Sequence, residues 1–419
     1  MARMLERLHR LHPFQTPRAQ RLALLFAVVY FAQGMWYLPN QAITIVLKDR
    51  GLTAAQVAAF FTMATVPWLI KPVYGLISDF VPLWGRRRKS YFLLAAALAA
   101  ACGAALALVP AHGYWTLAVL FTVMGLGLAF TDVLTDAFMV ESGRPLGLTG
   151  AFQSVQWAAI YASTIIVGVV GGALAEHRNL HAAFALAACF PVVSFVMALR
   201  FVDEPPARSE AEAFAQTWAA IRDALRQRDV WVVAGFVFFF NFSPSFGPAL
   251  IYYQTDVLGF SQNFIGLLGS LGAVGAVVGA FLYAPLSRRV SLRRLIPAAI
   301  VAATVGTLVY LLYRSWQAAV AIDLVFGCVA MMTQLAFLEL AARACPRRVE
   351  ATFFALLMSV FNGGTQVGQI TGGHLYDRLG YAPLILISAG MTALALLLVP
   401  LVRIDRIEAA ARAAAPAPA

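Results

Sequence analysis

A chain of 419 residues that is 61% hydrophobic and only 12% charged lies far from an average soluble domain, in which about 25% of residues are charged. That composition excludes a water-soluble globule. Thirty-one Lys and Arg against 20 Asp and Glu leave a formal charge of +11, and the positions of those charges decide whether a nucleic acid or a membrane accounts for them.

Apolar stretches recur along the chain, each long enough at ~20 residues to cross a hydrocarbon core of about 30 Å as a helix. In chain order they cover 22 to 47, 52 to 80, 90 to 109, 114 to 138, 149 to 175, 179 to 200, 230 to 254, 262 to 287, 295 to 313, 316 to 340, 351 to 373 and 379 to 402. A membrane β-barrel would show short segments of alternating polarity instead, and none is present. The expected fold is all-α and integral to the membrane, with twelve transmembrane helices.

Around the spans, residues 1–21 form a basic N-terminal segment, and the first span is too long for a signal-peptide core, so the segment is expected to be retained. Residues 202–229 form the one long polar interruption and read as a linker between a first half, 22–201, and a second half, 230–402. Within it Phe214, Trp218, Ile221 and Leu225 share a helical face, with Arg222, Asp223, Arg226 and Arg228 elsewhere. That pattern fits either an amphipathic helix at the interface or a plain spacer. The tail, 403–419, turns Ala- and Pro-rich and is expected to be disordered.

Twelve crossings place both termini on one side, and the basic residues sort accordingly. One set of loops and ends holds 25, from Arg3 and the Arg86-Arg87-Arg88-Lys89 run to Arg412; the other holds five, Lys48, Arg50, Arg178, Arg314 and Arg378; Lys71 lies inside a span. The positive-inside rule then makes both termini cytoplasmic, and the cytoplasmic (inner) membrane is the expected location. Because the positive charge serves topology, no nucleic-acid partner is expected.

Cys102, Cys189 and Cys328 lie within apolar spans and Cys345 at a span end, while all six His sit near span ends or in the N-terminal segment. No disulfide, metal or cofactor motif follows. No nucleophile, base and oxyanion set is visible either, so an enzyme is not expected.

The two halves resemble each other. At an offset of 201, Trp115 falls on Trp316, Phe152 on Phe353, Thr164 on Thr365 and Gly171-Gly172 on Gly372-Gly373. A parallel six-plus-six repeat around a polar linker is the plan of major facilitator transporters, with the solute site between the halves near the midplane. A monomer in the lipid bilayer is the expected state.

An ionised Asp costs roughly 2.5 to 3.5 kcal/mol at the centre of a membrane helix, so a charge there needs a partner, water or a proton. Lys71, Asp132 and Asp136 occupy such positions, with Asp323 and Glu339 nearer the edges. Asp132 and Asp136 are four apart and share a helix face, about 5 to 6 Å apart at Cβ. Two like charges so placed suit a shared, exchangeable proton. Lys71 and Asp132 lie at matched depth, about 12 to 13 Å from the cytoplasmic ends of their helices, so an ion pair broken by protonation or by an anionic solute is one expectation. The other is that Lys71 snorkels to the interface and the aspartates serve packing.

Polar stripes complete the candidate site. Gln33, Tyr37, Asn40, Gln41 and Thr44 fall on one face of the first span beside Trp36, and Asn362, Thr365, Gln366 and Gln369 recur similarly in the eleventh. Uncharged hydrogen-bonding groups next to aromatics suit a flat, polar, heterocyclic solute, although interhelical hydrogen bonds would explain each stripe separately. In the seventh span Asn241-Phe242-Ser243-Pro244-Ser245-Phe246-Gly247-Pro248 precedes Tyr252 and Tyr253. Two prolines break that helix, giving a hinge or a static kink.

The run Lys71-Pro72-Val73-Tyr74-Gly75-Leu76-Ile77-Ser78-Asp79-Phe80-Val81-Pro82-Leu83-Trp84-Gly85-Arg86-Arg87-Arg88 resembles the loop after the second helix of major facilitator proteins, with five residues inserted before Gly85. That spacing, followed by Tyr91, is similar to the folate-biopterin transporter family. Phe31-Ala32-Gln33-Gly34, Leu47-Lys48-Asp49, Asp132-Val133-Leu134-Thr135-Asp136 with Val140-Glu141, and Tyr252-Tyr253 before Leu258-Gly259-Phe260-Ser261 resemble the same family.

The resemblance implies proton-linked secondary transport of folate, pterin or a similar small polar organic solute. Under it Asp132, Asp136 and Lys71 would couple protons. Gln33, Trp36, Tyr37, Asn40, Asn241, Tyr252, Asn362 and Gln366 would contact the solute, and Gly75, Asp79, Arg86, Arg87 and Arg88 would form a cytoplasmic gate. The Arg that many proton-coupled facilitators carry in the fourth span is absent, since 114 to 138 holds no basic residue. Two rival readings stand beside this one: a permease for muropeptides or another organic solute, and a non-transporting membrane assembly factor on the same scaffold.

Overall fold

The computed structural model describes residues 14–143, 145–204, 206, 215, 218–219, 221–223, 225–345 and 350–413. The basic residues Arg3, Arg7, Arg10, Arg144, Arg208, Arg347 and Arg348, the linker's Phe214, and the tail beyond Ala413 lie outside the described residues.

Among the described residues the chain is helical throughout. The helices are α1 Pro17–Gly34, α2 Asn40–Asp49, α3 Ala54–Leu69, α4 Lys71–Phe80, α5 Lys89–Leu108, α6 Tyr114–Gly143, α7 Thr149–Glu176 and α8 Leu180–Phe201. They continue as α9 Arg228–Phe242, α10 Gly247–Asp256, α11 Gln262–Arg289, α12 Leu292–Val309, α13 Trp316–Ala344, α14 Glu350–Leu379, α15 Tyr381–Leu398 and α16 Ile404–Ala413. With α1–α2, α3–α4 and α9–α10 each counted as one crossing, eleven are long and apolar enough to span a membrane. Helix α14 has 30 residues but a polar stripe through its middle, which lowers its mean hydropathy. It supplies the twelfth of the long helices. Leu108, Phe281 and Leu397 are 81%, 77% and 72% exposed, as side chains that face lipid are.

Three predicted spans are not single helices, and each break has a proline behind it. In the first, a 3-10 turn Met35–Tyr37 ends at Leu38, whose N–H goes to Met35 O at 3.1 Å. Pro39 has no N–H to continue the α-helical ladder. In the second, Ile70 takes φ −105°, ψ 17°, two residues before Pro72. In the seventh the helix stops at Phe242 and restarts at Gly247, with Pro244 between and Pro248 in the new first turn. Two polar groups at the break find partners within the protein. Ser243 Oγ donates to Ser388 O at 2.9 Å, and Ser245 N donates to Gly368 O at 3.1 Å.

Two compact units arise, the first drawn from the described residues of Met1–Pro39, Val73–Val167 and Asn179–Glu210, the second from those of Asn40–Pro72, Gly168–Arg178 and Ala211–Ala419. In the first, Phe26 and Phe152 meet edge to face at 5.0 Å, and Phe14 stacks on Phe152 at 5.3 Å. Leu134 and Met139 of α6 close the same cluster. In the second, Phe236 and Phe240 both stack on Phe337, at 5.5 and 4.0 Å. Of the linker face read from the sequence, Ile221 is buried and Trp218 is 53% exposed.

Candidate functional site

Helix α6 is unbroken across Asp132 and Asp136, so their four-residue spacing keeps both carboxylates on one face. That face meets α1. Gln33 Nε2 donates to Asp132 Oδ1 at 2.7 Å, and the Tyr30 hydroxyl donates to Asp136. Going up three residues in α1 matches going down four in α6, as antiparallel helices require. From α7, Gln156 Nε2 also donates to Asp136 Oδ1, at 3.2 Å. Asp132 is 4% exposed, and Gln33 Oε1 is buried with no hydrogen-bond partner among the described residues. The sequence reading missed Tyr30 and Gln156. Tyr30 was within reach of it, since it lies three residues before Gln33 on the same face.

Lys71 opens α4 just after the Ile70 break, and its Nζ lies over the Trp68 ring, 4.6 Å from the centroid. The ring's negative face partly replaces the water that a half-buried ammonium gives up.

The first polar stripe does not run along one helix face, because the Pro39 break redirects its members. Gln33 faces Asp132. Trp36 is buried and stacks on Phe121 at 5.0 Å and 23°, while Tyr37 is 49% exposed. Past the break, Asn40 Oδ1 is buried without a partner among the described residues. Gln41 Nε2 donates to Gln262 O and Oε1 at 2.8 and 3.0 Å, and Thr44 donates to Asn40 O.

The second stripe stays on one helix. Asn362 and Gln366 are half-buried on α14, and Thr62 Oγ1 donates to Gln366 Oε1 at 3.4 Å. Asn241 lies beside them at the end of α9, where a Cβ on Gly364 would come within 3.0 Å of Asn241 Cβ. Tyr252 belongs elsewhere. Its hydroxyl donates to Leu52 O at 2.5 Å, and its ring lines a cavity of about 600 Å³ with Lys48, Asp256, Tyr376 and Asp377.

The residues read as a cytoplasmic gate divide sharply. Arg88 is 5% exposed and is held by Asp79 at 2.5 Å and Glu141 at 2.8 Å, while its Nη1 donates to Ser78 Oγ at 2.7 Å. Its backbone N–H and that of Lys89 go to the Glu204 carboxylate. Burial opposes the charge on Arg88, but Asp79 and Glu141 outweigh it and hold the guanidinium's pKa above its ordinary value. Arg86 is exposed and contributes its backbone to a tight turn, Leu83 N to Arg86 O at 2.9 Å and Arg86 N to Leu83 O at 3.1 Å. Trp84 and Gly85 fill that turn at φ 53° and 72°, left-handed values that Gly85 tolerates freely. The five inserted residues thus bring Arg88 back against Asp79. Arg87 is half-buried, and Gly75 faces Val133 at ordinary contact distance. Glu204, at the head of the linker, was not legible as a partner because 116 residues separate it from Arg88.

The long apolar helices, with Asp132 buried among them, make this a multi-pass membrane protein of the major facilitator fold. The chain superposes on a variant of the nucleoside transporter NupG with a TM-score of 0.73 at 12% identity, covering 91% of this chain and all of that one. On a D-xylose-proton symporter the TM-score is 0.70 at 14% identity, with 90% and 96% covered. Residues 33–412 match the model of the BT1 family, and the chain belongs to that family of folate-biopterin transporters. It is similar to the folate-biopterin transporter of Synechocystis sp., at 34% identity over 381 residues covering 87% of this chain and 76% of that one. The family's members are membrane transporters, not enzymes.

Proposed function

We propose that the protein is a proton-linked secondary transporter for folate, a pterin or a similar flat, polar organic solute. The observation that carries this reading is the Asp132–Asp136 pair, one carboxylate buried and both held by neutral donors from α1. Neutral donors leave the pair free to take or release a proton without breaking an ion pair with them. Gln33 Oε1 and Asn40 Oδ1, both buried acceptors with no donor among the described residues, suit a solute that brings N–H groups. The name of the Synechocystis relative supports the solute class.

Trp36, Tyr37, Asn241, Asn362 and Gln366 are proposed solute contacts, with Tyr252 a further one at the separate cavity it lines, and Lys71 is proposed to couple with the aspartates. Gly75, Asp79 and Arg86 to Arg88 are proposed as the cytoplasmic gate, with Arg88 its fixed centre. The lopsided distribution of Lys and Arg supports cytoplasmic termini, and the cytoplasmic (inner) membrane is the proposed location. A monomer with two six-helix halves, 22–201 and 230–402, completes the proposal.

Uptake of labelled folate and labelled pterin into proteoliposomes, with and without an imposed pH gradient, tests it. Accumulation of either solute above equilibrium, driven by the gradient, is expected. Equilibration that ignores the gradient would remove proton coupling, and movement of neither would remove the solute assignment.

A further inference from the structure

Two helix starts in the second compact unit are each met by a carboxylate from a distant part of the chain. At the start of α3, Thr53 Oγ1 accepts from Gln56 N and Gln56 Oε1 from Thr53 N, a capping box that leaves Ala54 N and Ala55 N still open. Asp377, near the end of α14, fills both, at 3.2 and 3.1 Å. At the start of α11, Ser261 Oγ accepts from Phe264 N. Glu176, the last residue of α7, then accepts from Gln262 N at 2.6 Å and Asn263 N at 3.1 Å.

Glu176 and Asp377 are 201 positions apart, the offset that superposes the two sixfold sets of spans. Each carboxylate comes from the fifth or eleventh span and caps a helix of the opposite set, the eighth or the second. The backbone beside each contact is pared down in the same way. A Cβ on Gly172 would stand 2.8 Å from Gln262 O, and one on its counterpart Gly373 would stand 2.6 Å from Ala55 Cα. The two contacts are thus one device used twice, because duplicated close approaches and duplicated carboxylates at the same offset do not follow from helix packing alone.

All four partners lie at the span ends opposite Arg88. Two partly exposed ion pairs lie near them, Arg178 with Asp49 at 3.0 Å, 49% and 45% exposed, and Lys48 with Asp256 at 2.6 Å, 18% and 49% exposed, and solvent weakens both as clasps. A carboxylate shared between two helix N–H groups is held by both hydrogen bonding and the helix dipole. It is also reversible, since water can take over both partners once they separate.

We infer that Glu176 and Asp377 are paired latches of the transport cycle, positioning residues that hold the non-cytoplasmic ends of α7 and α11, and of α14 and α3, together until the solute route opens on that side. The inference rests on the secondary-transporter reading given above. Its test needs no solute, so its failure is distinct from failure of the folate or pterin assignment.

The test uses the full chain with Cys102, Cys189, Cys328 and Cys345 replaced by Ser. Ser270, buried on α11 against Gly168, becomes the reporter as Ser270→Cys, and Ser90, buried at the start of α5 near Arg88, becomes the control as Ser90→Cys. A membrane-impermeant maleimide is applied to the non-cytoplasmic face. Glu176→Gln with Asp377→Asn is expected to raise the labelling rate at 270 by about fivefold or more, with each single variant in between, because the open population grows as the latches weaken. Glu176→Asp with Asp377→Glu, which keeps both charges, is expected to fall back toward the parent rate, and labelling at 90 is expected not to change. An unchanged rate at 270 in the double variant overturns the inference. So does a parallel rise at 90, which would mean general loosening.

Discussion

Gln33 donates to Asp132 across the α1–α6 contact at 2.7 Å while its other amide atom, Oε1, stays buried without a partner among the described residues. One end of the side chain is thus committed to the carboxylate, and the other is a buried acceptor. A structural amide in a helix interface would be expected to use both ends, because a buried acceptor left open costs about 1 to 3 kcal/mol.

Replacing Gln33 by Leu removes the donor to Asp132 and the open acceptor together. Gradient-driven uptake of labelled pterin or folate is expected to fall at least about tenfold, equivalent to about 1.4 kcal/mol, at unchanged protein level in the membrane. Gln33→Asn keeps both groups but shortens their reach by one methylene, and it is expected to fall between the two. Wild-type uptake by Gln33→Leu would assign the amide to packing.

Arg88 predicts a graded stability series. Losing one partner of a fully buried pair costs about 3 to 5 kcal/mol, but the side chains of Asp79 and Glu141 are 44% and 57% exposed. Solvent screening lowers the expected cost of Arg88→Ala to about 1 to 2 kcal/mol. Arg88→Lys keeps the charge but not the fork that reaches Asp79, Glu141 and Ser78 together, so it should melt between Ala and wild type. Arg86→Ala, at an exposed position, should melt like wild type in detergent.

The same site makes a prediction about pH. A cation whose folded-state pKa is raised contributes stability that is fully present below its unfolded value and lost only as pH climbs through the folded one. Since Arg88 is raised, its own ionisation should contribute nothing to any change in melting temperature across about pH 5 to 9. The difference in melting temperature between Arg88→Lys and wild type should therefore stay flat over that range.

Gly34 tests the packing that brings α1 to the site. A Cβ there would lie 1.8 Å from Ser163 Oγ and 2.9 Å from Ser163 Cβ, and Ser163 is fully buried. Gly34→Ala should cost about 1 to 3 kcal/mol through overpacking. Ser163→Gly on that background should recover part of it, less the roughly 1 kcal/mol that glycine costs within a helix. Thermal melts of the single and double variants check the sign of the coupling.

What the sequence revealed and what it hid follow from the range of each interaction. Span number, the proline break at 244 and 248, and the shared face of Asp132 and Asp136 are properties of single segments, so period and composition suffice to read them. The break at Pro39 was equally local but was overlooked, because the run from 22 to 47 is apolar enough to pass as one helix. That oversight is why Gln33 and Tyr37 were grouped with Asn40 on one face. Partners across the fold were out of reach in another way. Asp323 was recognised as an edge charge, yet nothing in its neighbourhood announced that Tyr310 and Tyr313 would both donate to it, at 2.9 and 2.6 Å. Glu176 and Asp377 passed unnoticed because a carboxylate near a span end looks solvated until the helix start it caps is in view.

The central claim is that the Asp132–Asp136 pair links solute movement to protons, and the most direct measurement compares two modes of transport in the same proteoliposomes. Labelled folate or pterin is followed first as uphill accumulation under an imposed pH gradient, then as exchange against unlabelled solute with no gradient. In Asp132→Asn combined with Asp136→Asn, uphill accumulation should vanish while exchange continues, because solute can still cross when no proton has to. Undiminished accumulation in that variant would contradict the account.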